Sequence, residues 1–550
     1  MGDGVAAAHG LGLLSLAGPL TTDAPRRWDV GCEGTGTRGI CEDWMKAASA
    51  AETPTVPGAA FARLPVALLA AAAAAVLMAT AWRYGYFGDE LYFLSAGKRL
   101  AWGYADQPPV LPLLAWAMDS LAPGNVFVFR LPAVLATAAG VVFTGLIAHE
   151  MGGDRRAQTR AAAAYAICGQ FLGSGHYLAT STIDPALWAL VVWLLVRWMR
   201  TRDDNLLLWL GVATAVALNV KLLIATFWVA AGVAILVFGP RDLLRRPKLW
   251  IGAGIAALSL VPTVWWQAAN GWPQLEMGDV IAHEATGGWS GRAGFLPALL
   301  TGAGLGIGVV GVLYGLWVLL FSPRLREYRF LGWTAVGVIG LFILSGGRYY
   351  YAAGMFGVLW AGAAVHFGQL KPSSWFRWIP TWPVFLLSAL YTLPYALPVW
   401  PSAWLAEGRD VPRPAYALEE IGWPDLARSV ADAYHRLPPE QRARTTLLTA
   451  GYWQAGALDR YGPELGLPAV YSPSRGFWYF GRPPETADTV LFVGPDPARL
   501  LRSFTDARIV SRVDNALGVR NVSRGMPIWL VTGHTESWAT AWPGLREFRV

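Results

Sequence analysis

Charge is what this sequence has least of. Only 15% of its 550 residues are Asp, Glu, Lys or Arg, where a soluble chain of that size carries about a quarter. With 54% hydrophobic residues, 29 Trp and a mean hydropathy of +0.37, the shortfall excludes an ordinary soluble globular protein and implies a multi-pass membrane protein. Cysteine is nearly absent too. Cys32 and Cys41 lie in a polar N-terminal stretch, Cys168 lies in an apolar run, and none follows residue 400. A disulfide-held C-terminal domain is therefore excluded, even if that domain is exported. The Cys32–Cys41 spacing is too wide for a zinc pair and has no His or Cys nearby, so no metal site is read there. No repeat of 20–50 residues is present. The net charge of +7 does not indicate nucleic acid, because the cations fall in short clusters between apolar runs.

Residues 1–60 are rich in Gly, Ala and Thr without periodicity, which predicts a disordered cytoplasmic tail. Its apolar piece "LGLLSLAGPL" has no basic stretch before it and makes a poor signal peptide; Met45 is an alternative start. Beyond it come runs long enough to cross a bilayer as helices, near 65–82, 126–148, 159–178, 185–200, 205–220, 222–238, 249–269, 295–321, 330–345, 349–367 and 378–399. The fifth and sixth form one apolar stretch broken only at Asn219 and Lys221. As a single helix it would be roughly 50 Å long against a hydrocarbon core of about 30 Å, so it divides in two.

The cations agree with eleven crossings from a cytoplasmic N-terminus. Arg155, Arg156 and Arg160, then Arg197, Arg200 and Arg202, then Arg241, Arg245, Arg246 and Lys248, then Arg324, Arg326 and Arg329, then Lys371 and Arg377 fall in alternate, inner loops. The outer set is sparser, the first outer loop excepted, as the positive-inside rule requires. Residues 1–60 then form the tail, 61–400 the membrane domain with a first outer loop at 83–125, and 401–550 a domain outside the cell membrane. In that last part, β-like "TTLLTA", "TVLFVG" and "PIWLVTG" alternate with helix-like "WQAGALDRYG" and "DPARLLRSF". The fold class is an α-helical polytopic membrane protein of about eleven spans with a small α/β domain.

The exception among the outer loops carries the chemistry. "GDELYFLSAGKRLAWGYADQPP", residues 88–109, packs acids, cations and a double proline against the end of the first span. Transporters keep their ionisable groups at mid-depth, but here the spans are almost free of them. Asp89, Glu90, Asp106 and Asp184, with Lys221 and Arg348, gather at the outer boundary beside His176 and the "GGRYYY" run that includes Tyr349. That level suits a lipid whose phosphate head group sits at the interface. It weighs against a secondary transporter, and against a scaffold that merely displays an outer binding domain. Two structural readings stay open: "GDE" as a helix cap with a dipole-favouring Glu, and Asp184–Pro185 as a cap with Pro at the first helical position.

"YGYFGDELYFLSAGKRLAWGYADQPPVLPLLA" resembles the first outer loop of the membrane-embedded GT-C glycosyltransferases related to protein O-mannosyltransferases and lipid A aminoarabinose transferases. "GDE" matches the acidic pair ending the first helix, and "DQPP" the acidic-x-Pro-Pro element. "ALDRYGPELGLP", residues 457–468, resembles an outer C-terminal domain of a bacterial branch, so the likeness runs from about residue 65 to the end. It implies a GT-C fold and inverting transfer of a sugar from a polyprenyl-phosphate carrier to a glycan, lipid or protein acceptor outside the plasma membrane. Asp89 matches the catalytic base; a carboxylate partly out of water at a bilayer boundary can be raised toward the working range of a base. Glu90, Lys98, Asp106, Gln107, His176, Asp184, Lys221, Arg348 and Tyr349 are the substrate-binding candidates, Arg348 being suited to the carrier phosphate. Aminoarabinose transferases have Lys where this chain has Gln107, so either Lys98, Lys221 or Arg348 supplies that charge or the donor sits differently. No metal and no cofactor are implied.

Overall fold

The computed structural model describes residues 59–284, 291–370, 377–406 and 409–548. The tail expected at the N-terminus, with Cys32 and Cys41, lies almost wholly outside them. The first helix, Arg63–Thr80, is a run of Ala, Leu and Val, residues that combine high helix propensity with the apolarity a bilayer demands. It packs on the helix Val126–Glu150, where Gly145 brings the backbones together: a Cβ there would stand 3.2 Å from Val66. The helices Asn205–Val220 and Pro247–Ser259 meet still more closely. A Cβ on Gly211 would fall 2.3 Å from Gly252 Cα, the small-residue contact by which membrane helices associate without a hydrophobic driving force.

Among the described residues six helices are long and apolar enough to cross a membrane, or seven if one bent pair counts as a single span. The expectation of eleven full-length spans is therefore not reproduced, for local reasons. The apolar run 159–178 is divided at Ile167 and Cys168 into Arg155–Ala166 and Gly169–Gly175. The run 295–321 bends by 112° between its two halves, at Gly304 and Gly306, whose φ of +93° and +72° only glycine adopts without strain. The stretch 205–238 separates at Lys221, which takes extended backbone between Asn205–Val220 and Ile224–Phe238. These two helices are 16 and 15 residues long, short of a full crossing at 1.5 Å per residue.

The C-terminal part carries a five-stranded sheet of order β2-β1-β3-β5-β4. Its strands are β1 (Thr445–Thr449), β2 (Val470–Tyr471), β3 (Thr489–Val493), β4 (Phe504–Arg512) and β5 (Pro527–His534). β1 runs parallel to β2 and β3, and β5 antiparallel to β3 and β4. β1 and β3 are buried on both faces, which is why they read as continuous apolar runs. Leu447, Leu491 and Leu530 face the helices Trp423–His435 and Tyr452–Tyr461, whereas Leu448, Val490 and Val531 face Trp538 and Trp542. "DPARLLRSF" is not the helix its sequence suggests. Pro497 and a single 3₁₀ turn, Leu500–Arg502, lead straight into β4.

The first apolar face does not stop at the sheet. Leu91, Tyr92, Phe93 and Leu94, from the helix Gly88–Gly97, belong to the same core as Leu447, Leu458 and Leu491. Gly456 permits that approach, since a Cβ on it would lie 2.8 Å from the Leu91 carbonyl carbon. The segment 83–125 and the C-terminal sheet thus share one hydrophobic core.

Candidate active site

The helix Gly88–Gly97 begins after Phe87, its N-cap, so Asp89 lies inside the first turn and does not cap it. Its side chain points to the C-terminal part instead. Asp89 Oδ1 accepts hydrogen bonds from Tyr452 Oη at 2.9 Å and Trp453 Nε1 at 2.8 Å. Both donors open the helix Tyr452–Tyr461, directly after β1. The indole reaches Asp89 by lying over Gly88, where a Cβ would be 2.3 Å from the ring. Oδ2 has no hydrogen-bond partner among the described residues, and Asp89 forms part of the wall of a cavity of about 1050 Å³.

Glu90 is turned the other way. It is fully buried and meets the Arg130 guanidinium with two bonds, Nε to Oε1 at 3.0 Å and Nη2 to Oε2 at 2.6 Å. The Leu178 and Phe87 amides complete its shell at 2.9 Å each. Arg130 in turn donates to the carbonyls of Ala81 at 2.7 Å and Gly85 at 2.8 Å, which pins the loop leading to Asp89. Glu90, expected at the substrate, thus has its four acceptor positions occupied by Arg130 and two main-chain amides. His176 lies behind the same guanidinium, with Nε2 at 3.0 Å from both Arg130 Nη1 and Glu420 Oε2. It also lines the cavity.

Lys98, also expected at the substrate, is paired with the C-terminal part. Its Nζ is 3.0 Å from Asp459 Oδ2, Ser95 donates to the same oxygen, and Arg99 approaches Oδ1 at 3.4 Å. These contacts strap the segment after the helix Gly88–Gly97 to the helix Tyr452–Tyr461, away from the cavity. Burial pushes the Asp459 carboxyl up, but Lys98 and Arg99 outweigh it and hold the group below the usual carboxylate range. Asp184 is also off the cavity wall. It sits within the helix Thr180–Thr201, whose N-cap is Ala179, so it is not a cap, and it accepts from Trp188 Nε1 at 3.1 Å.

The cavity does gather Asp106, Gln107, Lys221, Arg348 and Tyr349 with Asp89 and His176. Asp106 Oδ1 accepts from Tyr92 Oη at 2.8 Å. Burial pushes its carboxyl up to about 6, against the pull of the Tyr92 hydrogen bond and of Arg475. The Gln107 side chain is buried with an Nε2 that has no partner among the described residues. Lys221 Nζ stands 4.3 Å from the Tyr351 ring centre and 5.7 Å from that of Tyr350, a cation–π seat that holds it at the wall. Arg348 Nη2 is 2.7 Å from Glu284 Oε2, and Arg475 Nη2 is 3.3 Å from Glu284 Oε1.

Tyr452, Trp453, Arg475 and Glu284 were not singled out by the sequence. One signal was present: "GYW" directly after the β1 run puts two aromatic donors at a strand-to-helix turn, a place where side chains project over a sheet edge.

Residues 106–266 match the family model described as dolichyl-phosphate-mannose-protein mannosyltransferase. A comparison with curated proteins gives no match. Among solved structures, ArnT from Cupriavidus metallidurans in the apo state aligns with a TM-score of 0.54 at 14% identity, over 84% of this chain and 97% of that one. The same enzyme bound to undecaprenyl phosphate aligns with a TM-score of 0.50 at 17% identity, over the same shares of each chain. The chain is a multi-pass membrane protein with the GT-C glycosyltransferase fold. The particular likeness is to ArnT, and the likeness drawn from the first outer loop holds across the fold.

Proposed function

We propose that this protein is an inverting glycosyltransferase of the plasma membrane. In this reading it moves a sugar from a polyprenyl-phosphate carrier to a glycan, lipid or protein acceptor at the outer face. Residues 401–550 then form an extracytoplasmic domain that roofs the site. One observation carries the reading. Asp89 has one oxygen held by Tyr452 and Trp453 and the other without a partner among the described residues, on the wall of a cavity that also presents Lys221 and Arg348. A base fixed in one orientation and cations in the same cavity are what a single displacement at a sugar phosphate needs.

In that displacement Asp89 takes the proton of the acceptor hydroxyl. The acceptor oxygen bonds to the anomeric carbon from the face opposite the phosphate, and the carbon–oxygen bond to the phosphate breaks. The electron pair leaves with the polyprenyl phosphate, whose growing negative charge the cations stabilise. The carbon is inverted because only one displacement occurs. The solved ArnT bound to undecaprenyl phosphate supports the carrier class by fold.

The test uses the full chain in proteoliposomes with undecaprenyl-phosphate-linked sugars and an extract of outer-surface acceptors. Release of undecaprenyl phosphate together with a glycosylated acceptor of inverted anomeric configuration is the expected result. Retained configuration, or no turnover with any polyprenyl-phosphate sugar, rules the reading out.

A further inference from the structure

Glu284 ends the helix Pro273–Glu284 and lies on the cavity wall. Its two oxygens are held by two arginines from different parts of the chain. Arg348, from the loop after the helix Arg329–Ser345, takes Oε2 at 2.7 Å, and Arg475, from the C-terminal part, takes Oε1 at 3.3 Å. One planar anion is thus pinched between two guanidinium groups, the arrangement that also suits two oxygens of a phosphate.

Arg475 is set in place at some cost. Its φ is +46°, a left-handed conformation uncommon for a residue other than glycine. Its side chain is 14% exposed, its guanidinium lies 4.9 Å from the Tyr452 ring centre, and its Nε is buried without a partner among the described residues. Its Nη1 donates to Tyr452 Oη at 3.2 Å, and that hydroxyl donates to Asp89. Arg475 is therefore two hydrogen bonds from the proposed base, and an anion bound to it three. That is near enough for the phosphate leaving group and the acceptor hydroxyl to meet at one sugar carbon.

We propose that Arg348 and Arg475 are the two arms that bind the phosphate of the lipid carrier, and that the Glu284 carboxylate occupies this phosphate position as a built-in competitor until the carrier displaces it. The inference rests on the proposed function and adds a residue of the C-terminal part to the donor site. It also accounts for Gln107. Where a lysine is missing beside Asp106, the positive charge comes from Arg475, which pulls against the burial that raises the Asp106 carboxyl.

A competitor lowers apparent affinity in proportion to the fraction of molecules in which it has left the site, the only ones able to bind the carrier. Both ion pairs are partly exposed, with Glu284 28% and Arg348 34% accessible, so each is individually weak. Glu284→Gln should therefore tighten carrier binding by about 5- to 20-fold, equivalent to about 1–2 kcal/mol.

The experiment is equilibrium binding of undecaprenyl phosphate to the full chain in nanodiscs, with undecaprenol and inorganic phosphate as separate arms. Glu284→Gln is expected to bind undecaprenyl phosphate more tightly and undecaprenol no differently. Arg475→Gln in the Glu284→Gln background is expected to lose about tenfold or more. In an Arg348→Gln, Arg475→Gln background the Glu284 substitution should have no effect, because nothing remains to compete for. Unchanged or weaker binding by Glu284→Gln, with wild type binding normally, overturns this inference and leaves the proposed function standing. Displacement of the lipid by millimolar inorganic phosphate overturns the lipid assignment. No binding of undecaprenyl phosphate by wild type or Glu284→Gln overturns both.

Discussion

Glu90→Gln should destabilise the protein severely without touching the chemistry. Each carboxylate oxygen of Glu90 receives one main-chain N–H and one N–H of Arg130: Leu178 and Nε on Oε1, Phe87 and Nη2 on Oε2. Glutamine replaces one oxygen by an amide nitrogen, so whichever way it is placed two donors lose their acceptor and face a third donor. A buried donor left without a partner costs about 1–3 kcal/mol. Breaking a buried ion pair by altering one partner costs about 3–5 kcal/mol, and Glu90 and Arg130 are both wholly inaccessible to water. Glu420, 3.7 Å from Arg130, remains as a partial counter-charge, so about 3–5 kcal/mol is the expected total. The assay is thermal unfolding of the detergent-solubilised variant beside wild type and Asp89→Asn. Asp89→Asn should melt with wild type, because the asparagine oxygen still accepts from Tyr452 and Trp453. A Glu90→Gln protein that melts with wild type yet has lost activity would contradict the reasoning and return Glu90 to the substrate.

Trp453→Phe removes one of the two donors that orient Asp89 while keeping the aromatic contact over Gly88; turnover should fall about tenfold, as loss of one oriented hydrogen bond implies, with donor binding unchanged in the same titration. Asp106→Asn should change the pH dependence of stability. Burial raises the folded carboxyl to about 6, above the unfolded value of about 3.9. The wild-type group therefore stabilises most below about pH 4 and loses that contribution as pH rises through about 6. The asparagine variant, which still accepts from Tyr92, should match wild type near pH 4 and exceed it by up to about 3 kcal/mol near pH 7.5. A difference that grows toward acid pH in unfolding titrations would refute the burial argument. For topology, a cysteine introduced at Gly481 should react with a membrane-impermeant thiol reagent on intact cells, and one at Asp242 only after lysis. The reverse pattern removes the outer-face site.

The sequence carried the membrane class, the GT-C likeness and three strands of the sheet, because these rest on local patterns. Apolar length marks spans, and continuous Val, Leu and Thr runs mark β1, β3 and β5, which are central strands. β2 has two residues and β4 is an edge strand with an exposed face, so neither shows a run that a reader can see. Span breaks at Gly304 and Gly306 were hidden for a different reason. Apolar length counts residues but is blind to backbone direction, which two left-handed glycines reverse. In the site, "GDE" read as a unit, yet its two acids part. Asp89 and Glu90 are adjacent on a helix and so project about 100° apart, one toward the cavity and one toward Arg130. Only the fold shows Arg130, near the start of the helix Val126–Glu150, as the partner of Glu90. Tyr452, Trp453 and Arg475 lie more than 360 residues from Asp89, and no local pattern announces a contact at that separation.

The central claim, that Asp89 is the base, is tested by the Asp89→Asn variant. Asparagine keeps the shape and the accepted bonds but cannot take a proton. Losing general-base catalysis costs about 10²–10⁴ in rate, roughly 3–5 kcal/mol of barrier. The measurement is release of undecaprenyl phosphate from undecaprenyl-phosphate-linked sugar by membranes containing wild type or Asp89→Asn at equal protein level, with carrier binding followed in parallel. The account predicts a variant that folds, inserts and binds the carrier as wild type does, with turnover reduced at least a hundredfold. Full turnover by Asp89→Asn contradicts it and moves the base to Asp106.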